Sequence, residues 1–149
     1  MIKARRILHP TDFSKASTPA FTKAMELAKQ NRAELLLLHV RVPPTPLVGE
    51  GYVSPQTYQS LEASSRQWVA KQLASLVAKA KKAKLRVKGF QVDGGAPYEQ
   101  IARAARSKRA DLIVMGTHGR TGLSKFFMGS VAERVIPLAP CPVLMIRGK

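Results

Sequence analysis

The segment from residue 116 to residue 130 has the composition of an anion-binding loop. It reads GTHGRTGLSKFFMGS, and it joins an apolar run at 112–115 to a helical pattern that begins at Ser130. Glycines let backbone N–H groups approach an anion closely, and the positive end of a helix dipole favours negative charge. Arg120 and Lys125 add positive charge. The spacing therefore predicts a phosphate site.

Structural explanations compete for parts of this loop. Ser130 followed by Glu133 matches a capping box, which stabilises a helix start without any ligand, so for Ser130 alone we expect a cap. The Walker phosphate loop needs a glycine, then any four residues, then Gly-Lys-Ser/Thr. The dinucleotide-binding loop needs Gly-x-Gly-x-x-Gly after the first strand. Neither string occurs, which argues against both of these nucleotide-binding classes.

The other residues able to do chemistry are few. Asp12 is interpreted either as a ligand for a ribose, a base or Mg²⁺, or as a cap in a turn. His118 is either a phosphate contact or an exposed loop residue, whereas His9 and His39 are predicted to pack at strand ends. Cys141 is expected to be a buried, inert thiol. We predict no catalytic residue and no metal-ligand cluster.

Five apolar runs predict the strands that position these residues: 6–9, 34–40, 87–92, 112–115 and 143–146. The runs at 35–38 and 112–115 do not alternate with polar residues, which indicates strands covered on both faces. The third run alternates and is placed near an edge. Helical patterns lie between the runs, at about 17–31, 55–84, from Pro97 onward, and from Ser130 to a stop at Pro137.

Strict alternation of strand and helix predicts a three-layer α/β/α sandwich around a parallel sheet. Such sheets bind ligands beyond the carboxyl ends of their strands. The segments at 10–17, 41–54 and 116–129 follow strands one, two and four, and they are the expected sites of chemistry.

Composition bounds the class of protein. The chain has 149 residues, a net charge of +16 and one cysteine, which fits a single folded domain over 1–149 without disulfides. No apolar run is long enough for a membrane span, so we expect a cytoplasmic protein. The positive charge leaves open an alternative function in nucleic-acid or polyanion binding, with the densest basic run at Lys79, Lys81, Lys82, Lys84, Arg86 and Lys88.

The spacing Gly116-x₂-Gly119-x₉-Gly129-Ser130 resembles the ATP-binding signature of the universal stress protein family. Further similarities are Pro10-Thr11-Asp12 after strand one, His39-Val40 at the end of strand two, the stretch 94–101, and Cys141-Pro142-Val143-Leu144 near the end. The resemblance covers nearly the whole chain.

This resemblance implies an adenine-nucleotide-binding, Rossmann-like fold with strand order 3-2-1-4-5, and a stress-response regulator or sensor. We expect at most slow ATP hydrolysis, because no identified base positions water. It implies ATP, with Mg²⁺ near Asp12, and a homodimer formed through the strand at 141–147. With the charged and polar members of the glycine loop added, the expected nucleotide-binding residues are Pro10, Thr11, Asp12, Val40, Met115, Gly116, His118, Gly119, Arg120, Gly129, Ser130 and Val131.

Overall fold

Strands and helices alternate along the chain in the computed structural model, which describes residues 3–42, 53–118 and 128–148. The elements are β1 (Arg6–Pro10), a short 3₁₀ turn (Lys15–Ser17), α1 (Thr18–Asn31), β2 (Glu34–Arg41), α2 (Pro55–Lys82), β3 (Arg86–Asp93), α3 (Pro97–Ser107), β4 (Leu112–Gly116), α4 (Ser130–Leu138) and β5 (Val143–Ile146). None of the helices in these ranges combines the length and apolarity needed to span a bilayer.

The five strands form one parallel sheet in the order β3-β2-β1-β4-β5. This confirms the predicted fold class and strand order. The alternating third run is indeed an edge strand, since β3 pairs with β2 alone. The continuous run Leu35–Leu38 lies between β1 and β3 and is buried on both faces.

Each face of the sheet has its own apolar core. One core joins Ile7, Leu35 and Leu37 to Phe21 of α1 and Leu73 of α2. The other joins strand residues of the opposite face to α3 and α4, and its main members are Leu8, Leu36, Leu38, Ile113, Met115, Ile101 and Val135. Successive residues along each strand therefore face opposite sides of the sheet, as the pleat requires.

Helix α4 differs from the sequence-based expectation at both ends. Its N-cap is Gly129, not Ser130, and no side chain caps it, so the predicted capping box is absent. The helix also continues through Pro137 to Leu138, where the Ala139 N–H donates to the Val135 carbonyl at 2.9 Å. Proline is tolerated there because it lies in the last turn, where the helix loses only the bond that its missing N–H would make.

His9 is fully buried in β1, as its strand-end position suggested. Its Nδ1 donates to the Val114 carbonyl at 2.8 Å, and Nε2 has no hydrogen-bond partner among the described residues. Burial lowers the pKa of His9 to about 4, although the hydrogen bond to Val114 and the charge of Asp12 oppose the shift. The imidazole is therefore neutral in the folded protein at neutral pH.

The buried His9 makes stability depend on pH. The unfolded chain binds a proton near pH 6.5 and the folded chain only near pH 4, so the free energy of unfolding should fall as the pH drops through this window. Between pH 7 and pH 5 the loss due to His9 is about 2 kcal/mol. Urea unfolding of wild type and His9→Gln at both pH values measures it. An equally steep pH dependence in the variant would contradict this assignment.

Candidate functional site

A cavity of about 580 Å³ opens beyond the carboxyl ends of β1, β2 and β4. It lies where the strand order of the sheet reverses. The chain runs from β1 outward to β2 and β3 on one side, and β4 and β5 lie on the other side of β1. Parallel α/β sheets usually bind ligands at this point. The volume is within the range of pockets that hold small molecules and cofactors.

Ten of the twelve residues expected at a nucleotide site line this one cavity. They come from four segments that are far apart in sequence: Pro10, Thr11, Asp12, Val40, Met115, Gly116, His118, Gly129, Ser130 and Val131. The other two, Gly119 and Arg120, lie outside the described residues. The fold therefore brings these ten predicted residues together in one place.

The cavity combines an apolar wall with an uncapped helix start. Val40 and Met115 belong to the core on the α3 and α4 side and form part of the wall. Gly129, Ser130 and Val131 form the start of α4, and no side-chain oxygen caps its first turn. The first N–H groups of a helix have no partners within the helix and carry the positive end of its dipole. This arrangement suits a ligand with a flat apolar part and an anionic part.

His118 places a further polar group in the cavity. Its Nδ1 lies 2.8 Å from the Thr117 hydroxyl, and its Nε2 is shielded from solvent without a hydrogen-bond partner in the described part of the chain. Gly129, directly before α4, donates its N–H to the Thr117 carbonyl at 2.6 Å. That bond ties the end of the glycine segment to its beginning beside His118.

Asp12 has the structural role that was considered for it, and it also lines the cavity. Its Oδ1 accepts a hydrogen bond from the Ser14 N–H at 2.9 Å, which closes a turn after β1. No cluster of three or more metal-ligating side chains exists within residues 3–42, 53–118 and 128–148.

The turn that carries Thr11 and Asp12 is stabilised by an aromatic stack. Phe13 has a φ of 64°, a left-handed conformation that is strained for a residue with a bulky side chain. Its ring stacks on His39 at 4.5 Å between centroids and receives the edge of Trp68 at 5.6 Å. The His39 Nδ1 donates to the Thr11 carbonyl at 2.8 Å. These contacts hold the turn in one conformation at the cavity edge.

Arg41 anchors the α2 side of the cavity. Its side chain is 2% exposed, and its Nε lies 2.8 Å from Asp93 Oδ1 and its Nη2 3.5 Å from Glu62 Oε1. Arg66 of α2 also pairs with Asp93, at 3.1 Å. The hydrogen bond from Arg41 lowers the pKa of the Asp93 carboxyl, which keeps it ionised. The network joins β2, β3 and α2 beside the cavity.

Sequence reasoning missed the α2 side of the site. Ser65, Trp68 and Val69 line the cavity with a spacing of three and four residues, which is one face of a helix. Trp68 is 46% exposed there. The helical spacing was visible, but which face α2 would turn toward the strand ends was not. His39, predicted only to pack, and Arg41 also line the cavity.

Cys141 does not belong to the site. It lies just before β5, outside the cavity lining, and is partly buried. Burial raises the pKa of its thiol, and the charge of Asp111 adds to the shift. Because the thiolate is the reactive form, this environment fits the expected inert role.

A five-stranded parallel sheet in this order, with helices packed on both faces, defines a Rossmann-like α/β protein. The family model of the universal stress protein family matches residues 3–147. The chain belongs to this family.

Relatives support the assignment over the full length. The chain is 34% identical over 143 residues to the universal stress protein MJ0531 of Methanocaldococcus jannaschii, covering 96% of this chain and 82% of that protein. The solved structure of MJ0577 from the same organism superposes with a TM-score of 0.79 at 28% identity, covering 100% of this chain and 99% of that one.

Two further structures share the fold at lower identity. One is a universal stress protein in complex with cAMP, with a TM-score of 0.71 and 22% identity over 99% of both chains. The other is the universal stress protein from Archaeoglobus fulgidus in complex with dAMP, with a TM-score of 0.62 and 23% identity over 99% of this chain and 100% of that chain.

Proposed function

We propose that this protein binds ATP, with Mg²⁺, in the cavity at the carboxyl edge of the sheet, and acts in the cytoplasm as a stress-response regulator or sensor. The observation that carries the proposal is the uncapped start of α4 beside an apolar wall within one cavity. A planar base fits the wall, and phosphates satisfy the free N–H groups. That two family structures hold adenine nucleotides supports the choice of base.

The residues divide into three roles in this proposal. Thr11, Asp12 and Val40 contact adenine and ribose, with Pro10, Met115 and Gly116 completing that part of the cavity. Gly129, Ser130 and Val131 hold phosphates at the start of α4. The missing cap supports this, since the Ser130 hydroxyl is not engaged with its own helix. His118 is assigned to phosphate because it lines the cavity, and Gly119 and Arg120 are assigned to phosphate by the motif alone.

Mg²⁺ would be held chiefly by the phosphates, with Asp12 as the protein ligand, because carboxylate and phosphate oxygens suit this ion. Asp12 is the one carboxylate among the described residues that line the cavity, and it already accepts the Ser14 N–H. Among the described residues that line the cavity there is no second acid to activate water. We therefore expect slow hydrolysis at most and a protein that works through nucleotide occupancy.

Calorimetry and mass spectrometry test this function. Small molecules released from the purified, denatured protein should include an adenine nucleotide. After the protein is stripped, ATP with Mg²⁺ should bind at least tenfold more tightly than adenosine, because only ATP reaches the start of α4. Trp68 is the single tryptophan and lines the cavity, so its fluorescence gives a second readout. Equal affinity for ATP and adenosine would contradict the phosphate assignment.

A further inference from the structure

A second cavity, of about 480 Å³, lies at the amino ends of the strands, on the face covered by α3. Arg6 and Glu34 are the first residues of β1 and β2, and the chain leaves α3 through Ser107, Lys108 and Arg109. The nucleotide cavity is at the carboxyl ends, so the sheet separates the two. No residue lines both cavities. We call this second cavity the amino-edge cleft.

Positive charge dominates the amino-edge cleft. Four cationic side chains line it, those of Arg6, Lys88, Lys108 and Arg109, against one carboxylate, that of Glu34. Glu34 lies 3.7 Å from the Lys88 ammonium, so its charge is already partly neutralised. Within the described ranges, Arg6, Lys108 and Arg109 have no carboxylate within ion-pair distance. In the described part of the chain these three cations on a concave surface therefore form no ion pair, and the nearby Asp111 carboxylate accepts from the backbone N–H groups of Arg5 and Arg6.

The floor of the cleft is apolar. Leu36 is buried in the core on the α3 side, and Phe90 packs against the same core while remaining partly exposed on β3. The Lys108 ammonium lies 5.0 Å from the centre of the Phe90 ring. Because β3 is the edge strand, α3 does not fully cover it, and the ring stays accessible. An aromatic floor inside a cationic rim is the arrangement with which proteins bind single strands, by base stacking and phosphate contacts.

We propose that the amino-edge cleft binds single-stranded nucleic acid, with phosphates on Arg6, Lys108 and Arg109 and a base against Phe90. The sequence alone pointed to the basic run from Lys79 to Lys88, and of this run Lys88 alone lines the cleft. Lys79, Lys81 and Lys82 are exposed in the last turn of α2, where they complement the helix dipole, and none of them lines a described cavity. The net charge of +16 attracts the strand, and the cleft binds it.

Two triple variants with equal loss of charge separate local binding from general attraction. The cleft variant is Arg6→Gln/Lys108→Gln/Arg109→Gln, and the matched control is Lys79→Gln/Lys81→Gln/Lys82→Gln. Glutamine keeps most of the side-chain length. At position 109, where φ is 53°, glutamine adopts the left-handed conformation about as readily as arginine does. Anisotropy of a labelled oligouridylate of about 12 nucleotides, a length within known site sizes, measures binding across a salt series.

The cleft variant should lose at least tenfold in affinity at low salt, and its slope of log affinity against log salt should fall by about two, because three phosphate contacts are lost. The control should stay within about threefold of wild type. Equal losses in both variants, or no binding by the wild type, would overturn the proposal. Circular dichroism and thermal unfolding verify that both variants are folded.

The base contact and the separation from the nucleotide cavity have their own tests. Phe90→Leu should weaken oligouridylate binding severalfold and leave competition by inorganic polyphosphate unchanged. Unlabelled polyphosphate and unlabelled oligonucleotide are compared as competitors of the labelled oligouridylate. If they compete equally well per phosphate group, the cleft recognises charge alone, and the assignment to nucleic acid is overturned. Saturating ATP should not displace the oligonucleotide. Displacement of the oligonucleotide by ATP would place the strand in the nucleotide cavity. If ATP does not bind at all, the comparison of the cleft variant with its control still tests the cleft.

Discussion

Replacing Gly129 with valine should lower the affinity for ATP at least tenfold, or about 1.4 kcal/mol, and change the affinity for adenosine little. Gly129 has φ −63° and ψ 156°, an extended conformation that valine adopts readily, and its N–H to Thr117 is kept. The variant should therefore fold. Its added methyl groups would occupy the space beside Ser130 where the proposal places phosphates.

The control for this prediction is Ala139→Val at the other end of α4. Ala139 is also extended, with φ −66° and ψ 134°, and it does not line the cavity. Calorimetry with ATP and adenosine on both folded variants compares the same side chain at the two ends of one helix. Unchanged ATP affinity in Gly129→Val would mean that the phosphates bind elsewhere.

Replacing Met145 with proline should convert the proposed homodimer into a monomer. β5 is an edge strand that pairs with β4 alone in the described sheet. The carbonyls of Pro142 and Ile146 accept hydrogen bonds from the N–H groups of Ile113 in β4 and of Thr117 just after it. Val143 and Met145, between them, therefore turn their backbone polar groups to the open edge. Pairing of β5 with its two-fold mate would satisfy these groups.

Apolar side chains beside this edge add to the proposed contact. Ile136 and Leu138 of α4, the helix that leads into β5, are 46% and 43% exposed. Leu144, in contrast, packs against the α1 side of the core, so a charge at that position would destabilise the protomer itself. The better test removes a backbone donor and leaves Leu144 in place.

Met145→Ala is the matched control for Met145→Pro, because it removes the same side chain and keeps the N–H. Sedimentation of wild type and the alanine variant at micromolar concentration should give twice the chain mass of 16.3 kDa, and the proline variant should sediment as the single chain. A wild type that sediments as a monomer would contradict the dimer. A proline variant that remains dimeric would contradict pairing through β5, since this variant lacks the outward N–H.

Much of the fold was predictable because its signals are local. The unbroken apolar run at 35–38 indicated a strand covered on both faces, and the alternation at 87–92 indicated an edge, and both are confirmed. Alternation of strand and helix was enough to predict a parallel sheet, since the connections between parallel strands need a crossover element. The strand order came from the family resemblance, and the structure confirms it.

Local signals were less reliable where they competed. The Ser130–Glu133 spacing predicted Ser130 as the N-cap of α4. In the structure Gly129 is the N-cap, and Ser130 is already the first residue of the helix. Pro137 predicted a stop, but a proline in a last turn removes little. Both errors concern helix ends, where alternative local arrangements differ little in energy.

The sequence alone determined the strands, their parallel arrangement and the presence of a glycine-rich segment at the carboxyl edge. Only the tertiary structure decided what surrounds that edge. Arg41 meets Glu62 and Asp93, and Phe13 meets His39 and Trp68, across separations that no periodicity encodes. The amino-edge cleft likewise exists because α3 leaves β3 partly uncovered. Such contacts follow from how helices dock on the sheet, which depends on the packing of both cores together.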